Sequence, residues 1–180
     1  LQSYKTPGTP GQGIIRPTQE EDKISLEDQT LYRSGVGMLL YLVKHSRPDI
    51  ANVVRELSKC MDGATPAANK ELKRVIKFVL DTRNFGLKIE PIVRKTEDDW
   101  DIVIYTDSDY GGDKESRISV TGYIVYLLGV PICWKSKSQR SVSLSSSEAE
   151  FLSLSKCAKD IKFIVKVLIT MGIPVKLPVI

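Results

Sequence analysis

The hydrophobic and polar positions of this chain change from a helical period to a two-residue alternation near residue 85. A Pro- and Gly-rich arm over residues 1–24 has no apolar period and is predicted to be a flexible linker. A first helix is predicted from about residue 26 to 44, after a capping pattern of Ser25 and Asp28. Its buried stripe is predicted to consist of Leu31, Gly35, Met38, Leu39, Leu42 and Val43.

Two further helices are predicted before the change of period. Ser46 and Pro48 start the second, whose inner face is predicted to be Ile50, Val53, Val54, Leu57 and Met61. Thr65-Pro66 starts the third, with an apolar stripe of Leu72, Val75, Ile76, Val79 and Leu80. Its opposite side carries a basic stripe, defined as Lys70, Lys73, Arg74 and Lys77. Such a stripe is either an ordinary solvated face or a surface that binds nucleic-acid phosphates.

Strand-like alternation occupies much of the chain after residue 85. A short strand is predicted over Gly86–Glu90, followed by a charged loop over Arg94–Asp99. Three successive strands are then predicted, at Trp100–Asp107, Thr121–Leu128 and Ile132–Lys135. Their short links, including Gly129-Val130-Pro131, favour an antiparallel meander. A basic loop is predicted over Lys135–Arg140.

A long helix is predicted after this loop. Ser145 and Glu148 form a capping-box pattern, and apolar residues continue to about Met171, namely Phe151, Leu154, Ala158, Ile161, Val165 and Leu168. Because apolar residues occupy more than one side, we expect both the sheet and another element to cover this helix. Val175–Ile180 is predicted to begin a further strand.

Four carboxylates are candidates for chemistry. Asp107 and Asp109 fall on one face at the end of the predicted strand, where they indicate either a turn or a metal site. Glu148 has a capping role, whereas Glu150 has none. A strand carboxylate and a carboxylate at the start of a packed helix can converge, and oxygen ligands without His or Cys suit Mg²⁺ or Mn²⁺. Such ions assist phosphodiester hydrolysis; His45, the only histidine, is interpreted as a helix-end residue.

Composition limits the class of protein. The chain has 180 residues, of which 42% are hydrophobic, and a net charge of +4, which permits a polyanionic partner without requiring one. Three widely spaced cysteines predict reduced thiols in an intracellular compartment. No apolar run reaches transmembrane length, and Leu1 as the first residue suggests a piece of a longer chain.

Several long motifs resemble copia-type retrotransposon Pol polyproteins. LYRSGVGMLLYLVKHSRPDIANVVRELSKCM (31–61) and ELKRVIKFVLDTRNFGLKI (71–89) resemble the segment that follows the polymerase core. YTDSDYGGD (105–113), RISVTGYIVYL (117–127) and CWKSKSQRSVSLSSSEAEF (133–151) resemble the ribonuclease H domain of the same family. The resemblance covers nearly everything after the arm, in the family's order and spacing. It implies a helical connection over residues 25–84 and a ribonuclease H-like α/β domain over 85–180.

The resemblance also implies a chemistry, which is hydrolysis of the RNA strand of RNA–DNA hybrids by an acidic cluster that holds two Mg²⁺ ions. The family's first acid matches Asp107 and its second matches Glu150, while Asp109 matches a supporting position. Substrate-side positions of the family match Arg117, Trp134, Lys135 and Lys137. The implied partners are the RNA–DNA hybrid and the rest of the Pol polyprotein, with no membrane and no small-molecule cofactor.

Two departures from the family pattern matter. The family's third and fourth carboxylates would lie after Ile180, and Asn69 occupies a place where the family often has His. The YxDD motif of the polymerase does not occur either, so no polymerase activity is expected of this chain. We therefore expect weak or absent cleavage by this chain. The alternative is a non-catalytic nucleic-acid-binding or scaffold segment of the same polyprotein.

Overall fold

A computed structural model of the chain describes residues 23–92, 100–112 and 116–175. It divides the chain into two compact units, Leu1–Leu87 and Lys88–Ile180. The described residues of the first unit form three α-helices, α1 (Leu26–His45), α2 (Ala51–Ser58, after a 3₁₀ turn at Pro48–Ile50) and α3 (Pro66–Asp81). The second contains β1 (Ile102–Asp109), β2 (Val120–Leu127), β3 (Val130–Ser138) and α4 (Ser146–Thr170). Among the described residues the protein is thus a mixed helix and sheet structure.

The helix starts of the first unit follow the capping residues of the sequence. The Ser25 hydroxyl accepts a 3.1 Å hydrogen bond from the Asp28 N–H, and the Thr65 hydroxyl accepts one of 3.2 Å from the Ala68 N–H. Each bond satisfies a backbone donor that lacks an intrahelical partner. The predicted starts of α1 and α3 are therefore confirmed.

The core of the first unit is built from all three of its helices. Buried side chains of α1, α2 and α3 meet there, among them Tyr32, Val36, Leu39, Val53, Val54, Leu57, Leu72, Val75 and Phe78. The Tyr32 hydroxyl donates a 2.8 Å hydrogen bond to the Leu57 carbonyl, so its one polar atom is satisfied inside the core.

Part of the predicted buried stripes was wrong. Leu31 and Met38 are 64% and 62% exposed, and Leu80 is 51% exposed. In α1 the buried face instead includes Tyr32 and Val36. Since neighbouring helix positions differ by about 100°, a small error in the centre of the stripe exchanges a buried residue for an exposed one.

The three strands form one antiparallel sheet in the order β1-β2-β3, which confirms the predicted meander. The β2–β3 turn consists of Leu128 and Gly129, both at positive φ (51° and 79°), as a two-residue type I′ hairpin requires. The predicted connection Gly129-Val130-Pro131 was therefore wrong at both ends, since the turn begins one residue earlier and ends two residues earlier. Val130 and Pro131 already belong to β3, where they pair with Leu127 and Tyr126.

Two other strand predictions also need correction. Residues 86–90 form no strand, because no pairing partner for them occurs in the described sheet. Conversely, β3 continues to Ser138, so most of the predicted basic loop Lys135–Arg140 is strand. The predicted loop at 94–99, residues 1–22 of the arm and residues 176–180 of the last predicted strand lie outside the described residues. Val175 forms an isolated parallel bridge with Trp100.

Helix α4 packs on one face of the sheet and forms the core of the second unit. The buried residues of this core come from both the sheet and α4, and they are Ile102, Tyr123, Val125, Cys157 and Leu168. Phe151 and Leu154 were predicted to be buried but are 70% and 51% exposed. The small residues Ala149, Ser153 and Cys157 face the sheet instead, at the i, i+4 spacing of one helix face. No described helix is long and apolar enough to span a membrane.

Candidate active site

The first turn of α4 is capped by two side chains. The Ser145 hydroxyl accepts a 3.1 Å hydrogen bond from the Glu148 N–H, and the Glu148 carboxylate accepts one of 2.6 Å from the Leu144 N–H. Glu148 therefore has the predicted structural role. Its partner is the N–H before the cap, whereas a standard capping box uses the N–H of the cap itself.

A buried glutamine fastens this turn to the sheet. The Gln139 amide donates hydrogen bonds to the Ala149 carbonyl (2.9 Å) and the Thr121 hydroxyl (3.3 Å), and it accepts one from the Ser143 hydroxyl (2.8 Å). The Gln139 backbone N–H also donates to the Ser119 carbonyl at 2.8 Å. These bonds fix the start of α4, and with it the position next to Ala149, against β2 and the end of β3.

A second contact joins α4 to the end of β1. The Ser153 hydroxyl lies 2.8 Å from the Thr106 hydroxyl and donates a 3.0 Å hydrogen bond to the Asp107 carbonyl. Ser153 is completely buried. Because the bond is made to the backbone of Asp107, it fixes the point from which that carboxylate leaves the strand.

Asp107 and Glu150 line the same cleft, which has a volume of about 400 Å³. We call this the acidic cleft, and its lining residues are Thr106, Asp107, Ser147, Glu150, Phe151, Ser153 and Leu154. Both carboxylate residues are exposed to solvent. Gly122 pairs with Asp107 across β2, so no side chain of that neighbour competes for space. The structure thus brings together the two acids that the sequence singled out.

Asp109 has a different environment. It ends β1 and is not among the described residues that line the acidic cleft. Its carboxylate packs so closely against Gly112 that a Cβ at position 112 would overlap it. The Gly112 N–H also donates to the Asp109 carbonyl at 3.4 Å. Asp109 is therefore the last residue of β1, and its carboxylate packs against Gly112 in the turn that follows.

The donor chemistry of the acidic cleft fits a hard divalent cation. Its polar lining consists of the two carboxylates and the hydroxyls of Thr106, Ser147 and Ser153, without imidazole or thiol. Such oxygen donors suit Mg²⁺ or Mn²⁺. Among the described residues, however, no three His, Cys, Asp or Glu side chains lie close enough to hold one ion together. The described residues of the acidic cleft could therefore offer a metal ion two charged ligands, Asp107 and Glu150.

The basic stripe is partly neutralised within α3. Arg74 forms an ion pair of 3.0 Å with Glu71, and Lys77 forms one of 2.7 Å with Asp81. Lys70 and Lys73 are exposed. Only part of the stripe's charge is thus available to a partner, and its role in nucleic-acid binding stays a prediction.

Lys135 faces α4, where its ammonium donates a 2.9 Å hydrogen bond to the Asp160 carboxylate. The Tyr123 hydroxyl donates to the same oxygen. These bonds raise the pKa of Lys135 above its ordinary value. Burial opposes ionisation of Asp160, but the bonds from Tyr123 and Lys135 outweigh it and hold the pKa of Asp160 below its ordinary value. The charge of Lys135 is therefore paired with Asp160, although the lysine side chain remains half-exposed.

The other predicted substrate-side residues, Arg117, Lys137 and Trp134, lie at separate places on the sheet and its turns. Arg117 is exposed at positive φ (55°) after the turn that follows β1, with its guanidinium beside Gly111. Lys137 is exposed near the end of β3. Trp134, by contrast, lies in the middle of β3, where it pairs with Ile124 of β2.

Gln139 and Ser153 position the acidic cleft, but the sequence did not single them out. Ser153 stands four residues from both Ala149 and Cys157. This spacing of small residues on one helix face could have predicted that Ser153 packs against the sheet. Gln139 gave no such signal, because it lies in a stretch of polar and basic residues.

Comparison with known proteins places this chain among transposon polyproteins. It is 37% identical over 171 residues, 92% of its length, to the retrovirus-related Pol polyprotein from transposon RE1 of Arabidopsis thaliana. It is 36% identical over 153 residues, 85% of its length, to the corresponding polyprotein from transposon RE2 of the same plant. The chain spans only 11% and 10% of these two relatives.

A shorter relative matches part of the same region. It is the secreted RxLR effector protein 161 of Plasmopara viticola, 37% identical over 129 residues, which are 72% of this chain and 87% of the effector. No protein-family model and no solved structure matches the chain. The shares of 92% and 72% require the polyprotein and effector alignments to overlap. The chain therefore belongs to the retrovirus-related Pol polyproteins of transposons, as its resemblance to copia-type elements predicted.

Proposed function

We propose that this part of the Pol polyprotein is a ribonuclease H-type domain that hydrolyses the RNA strand of RNA–DNA hybrids. An antiparallel three-stranded meander followed by a helix packed on the sheet supports a ribonuclease H-like fold. The observation that carries the proposal is that Asp107 and Glu150 line one cleft open to solvent. Asp107 lies at the end of a strand and Glu150 in the first turns of a helix. Hydrogen bonds between residues that are separated in sequence hold this strand end and this helix together.

The roles of the chain's residues follow from their positions. Asp107 and Glu150 would hold the divalent cation, Mg²⁺ or Mn²⁺, through their carboxylate oxygens. When bound, such a cation supplies activation of a water molecule and stabilisation of the leaving oxygen. Ser153 and Gln139 orient the two carboxylates by fixing the backbone on either side of the cleft. Asp109 has a supporting role at the strand end.

The small number of charged ligands sets the expected rate. Two carboxylates hold a hydrated divalent cation weakly, because each replaces only part of its oxygen shell. We therefore propose slow hydrolysis by this chain, dependent on millimolar metal. Cys60, Cys133 and Cys157 form no disulfide bond, which supports an intracellular place of action.

The test is cleavage of a hybrid labelled on its RNA strand, with Mg²⁺ and with Mn²⁺. We expect Asp107→Asn and Glu150→Gln each to lower the cleavage rate by roughly a hundredfold or more, since groups that merely orient metal ligands are already worth about 10- to 100-fold. The matched control is Glu148→Gln, which removes a charge from the same helix turn but keeps an oxygen to accept from Leu144. It should leave the rate nearly unchanged.

Two outcomes would count against the proposal. Cleavage that survives both Asp107→Asn and Glu150→Gln would show that another group, or a contaminant, performs the reaction. No cleavage by the unsubstituted chain with either metal would reject its catalysis. It would favour the alternative, which is a non-catalytic nucleic-acid-binding or scaffold segment. That alternative is supported because no three acidic side chains among the described residues lie close enough to hold one ion.

A further inference from the structure

Strand β3 and helix α4 run in opposite directions, and two side-chain contacts fix their alignment. Gln139, just after β3, bonds to Ala149 in the first turn of α4. Lys135, four residues earlier in the strand, bonds to Asp160, eleven residues later in the helix. The facing positions therefore move along α4 from Asp160 towards Ala149 as β3 proceeds from Lys135 towards Gln139.

This alignment brings Lys137 opposite Lys156. Lys137 stands two residues after Lys135, so its side chain leaves the same face of the strand. Lys156 stands four residues before Asp160, so it occupies the same side of the helix one turn nearer the start. Where Lys135 faces a carboxylate on α4, Lys137 therefore faces the position of another lysine.

Arg140 adds a third positive charge. We call Lys137, Arg140 and Lys156 the cation cluster. Burial lowers the pKa of Lys156, and the charges of Lys137 and Arg140 lower it further, as expected where like charges lie close together. None of the three forms an ion pair with any residue in the described parts of the chain. A cluster of this kind is self-repelling and gains stability from a bound anion.

We propose that Lys137, Arg140 and Lys156 form a binding site for the backbone phosphates of a nucleic acid. The choice of nucleic acid as the anion rests on the proposed function, whereas the site itself rests on the facing lysines of β3 and α4. Three separate cations on a strand, a loop and a helix match a row of phosphates better than one small ion. Their long side chains can follow a backbone without reading its bases.

The cation cluster and the acidic cleft lie on different sides of α4. Glu150 and Leu154 line the cleft together with Thr106 and Asp107 of β1. Lys156 faces β3, and positions 150 and 156 differ by about 240° around the helix. The cluster would therefore hold phosphates away from the hydrolysed bond and act by positioning the nucleic acid.

The test measures binding of a fluorescent RNA–DNA hybrid by anisotropy, in EDTA and between about 50 and 200 mM salt. The variant is the triple substitution Lys137→Gln, Arg140→Gln and Lys156→Gln. The matched control is Lys159→Gln, Lys162→Gln and Lys166→Gln, which removes the same charge from exposed positions of α4. We expect the cluster variant to flatten the slope of log affinity against log salt by about two to three, and the control by less than about one.

A second readout does not depend on nucleic acid. If the cluster is strained by its own charge, Lys156→Gln alone should raise the melting temperature of the free protein, and added hybrid should raise that of the unsubstituted protein more than that of the variant. Equal slopes for the two triple variants, or no binding of hybrid by the unsubstituted chain, would overturn the site. Because EDTA prevents cleavage, and because Asp107→Asn should bind hybrid normally, failure of the catalytic proposal would be seen separately.

Discussion

The Ser153 hydroxyl donates a 3.0 Å hydrogen bond to the backbone carbonyl of Asp107, across 46 residues of sequence. Ser153 is fully buried on the sheet-facing side of α4, and its oxygen also lies 2.8 Å from the Thr106 hydroxyl. One small side chain therefore joins the end of β1 to the helix that carries Glu150. The geometry of the acidic cleft depends on this contact.

Removing that hydroxyl should weaken both stability and positioning. We expect Ser153→Ala to lower the free energy of unfolding by about 1 kcal/mol, because the Thr106 hydroxyl and the Asp107 carbonyl each lose a buried partner. Ser155→Ala, on an exposed position of the same helix, is the control and should change it by less than about 0.5 kcal/mol. Urea unfolding measures both. Equal effects would mean that the contact contributes nothing.

The place of Asp109 can be tested through its glycine neighbour. A Cβ at position 112 would overlap the Asp109 carboxylate, so Gly112→Ala should displace that side chain while Asp107 and Glu150 stay in place. If Asp109 supports the cleft, hybrid cleavage should fall several-fold. Gly86→Ala is the control, since a Cβ there meets no atom within 4 Å. Unchanged cleavage by Gly112→Ala would remove Asp109 from the site.

The β2–β3 turn offers a prediction about stability alone. Leu128 has φ of 51°, a conformation that costs an ordinary residue about 1–2 kcal/mol. Asparagine before glycine is preferred in this turn. We expect Leu128→Asn to raise the free energy of unfolding by roughly 1 kcal/mol, and the β-branched Leu128→Val to lower it. A melting temperature that falls for Leu128→Asn would contradict the type I′ assignment.

The Asp160 carboxylate should make stability depend on acid. Its pKa is held below the ordinary value of about 3.9 by bonds from Tyr123 and Lys135. The stability that it contributes is therefore complete above the unfolded pKa and is lost as the pH falls through the folded one. In urea unfolding, the difference between the unsubstituted protein and Asp160→Asn should be constant from pH 7 to 5 and shrink below about pH 4. A difference that is unchanged at pH 3 would exclude the shift.

Much of the local structure could be predicted because helix caps and tight turns depend on residues that are close together in the sequence. The starts of α1, α3 and α4 could be predicted from Ser25, Thr65 and Ser145. Each of these side chains caps its helix by accepting a hydrogen bond from the N–H three residues later. The meander was readable from alternation and short links. The spacing of the residues left open whether Asp107 belongs to a turn or to a metal site. The family resemblance resolved this by matching Asp107 and Glu150 to the first two acids of one site.

Contacts between distant elements account for what the sequence missed. β3 extends through Lys135 and Lys137 because every second residue faces α4, yet these lysines look like loop residues in isolation. Lys156 looks like an ordinary exposed helix lysine until β3 is aligned with α4. Phe151 and Leu154 have the apolar character of core residues, but the smaller Ala149 and Ser153 permit the closer approach to the sheet and are buried in their place.

Metal titration shows whether Asp107 and Glu150 share one ion. Mn²⁺ can be added to the isotopically labelled chain while paramagnetic broadening of backbone resonances is recorded by NMR. We predict that residues 107 and 150 broaden together at the lowest Mn²⁺ concentrations, and that Asp107→Asn removes the broadening at residue 150 as well. Broadening at only one of the two positions, or at residue 150 in Asp107→Asn as in the unsubstituted protein, would contradict a shared site.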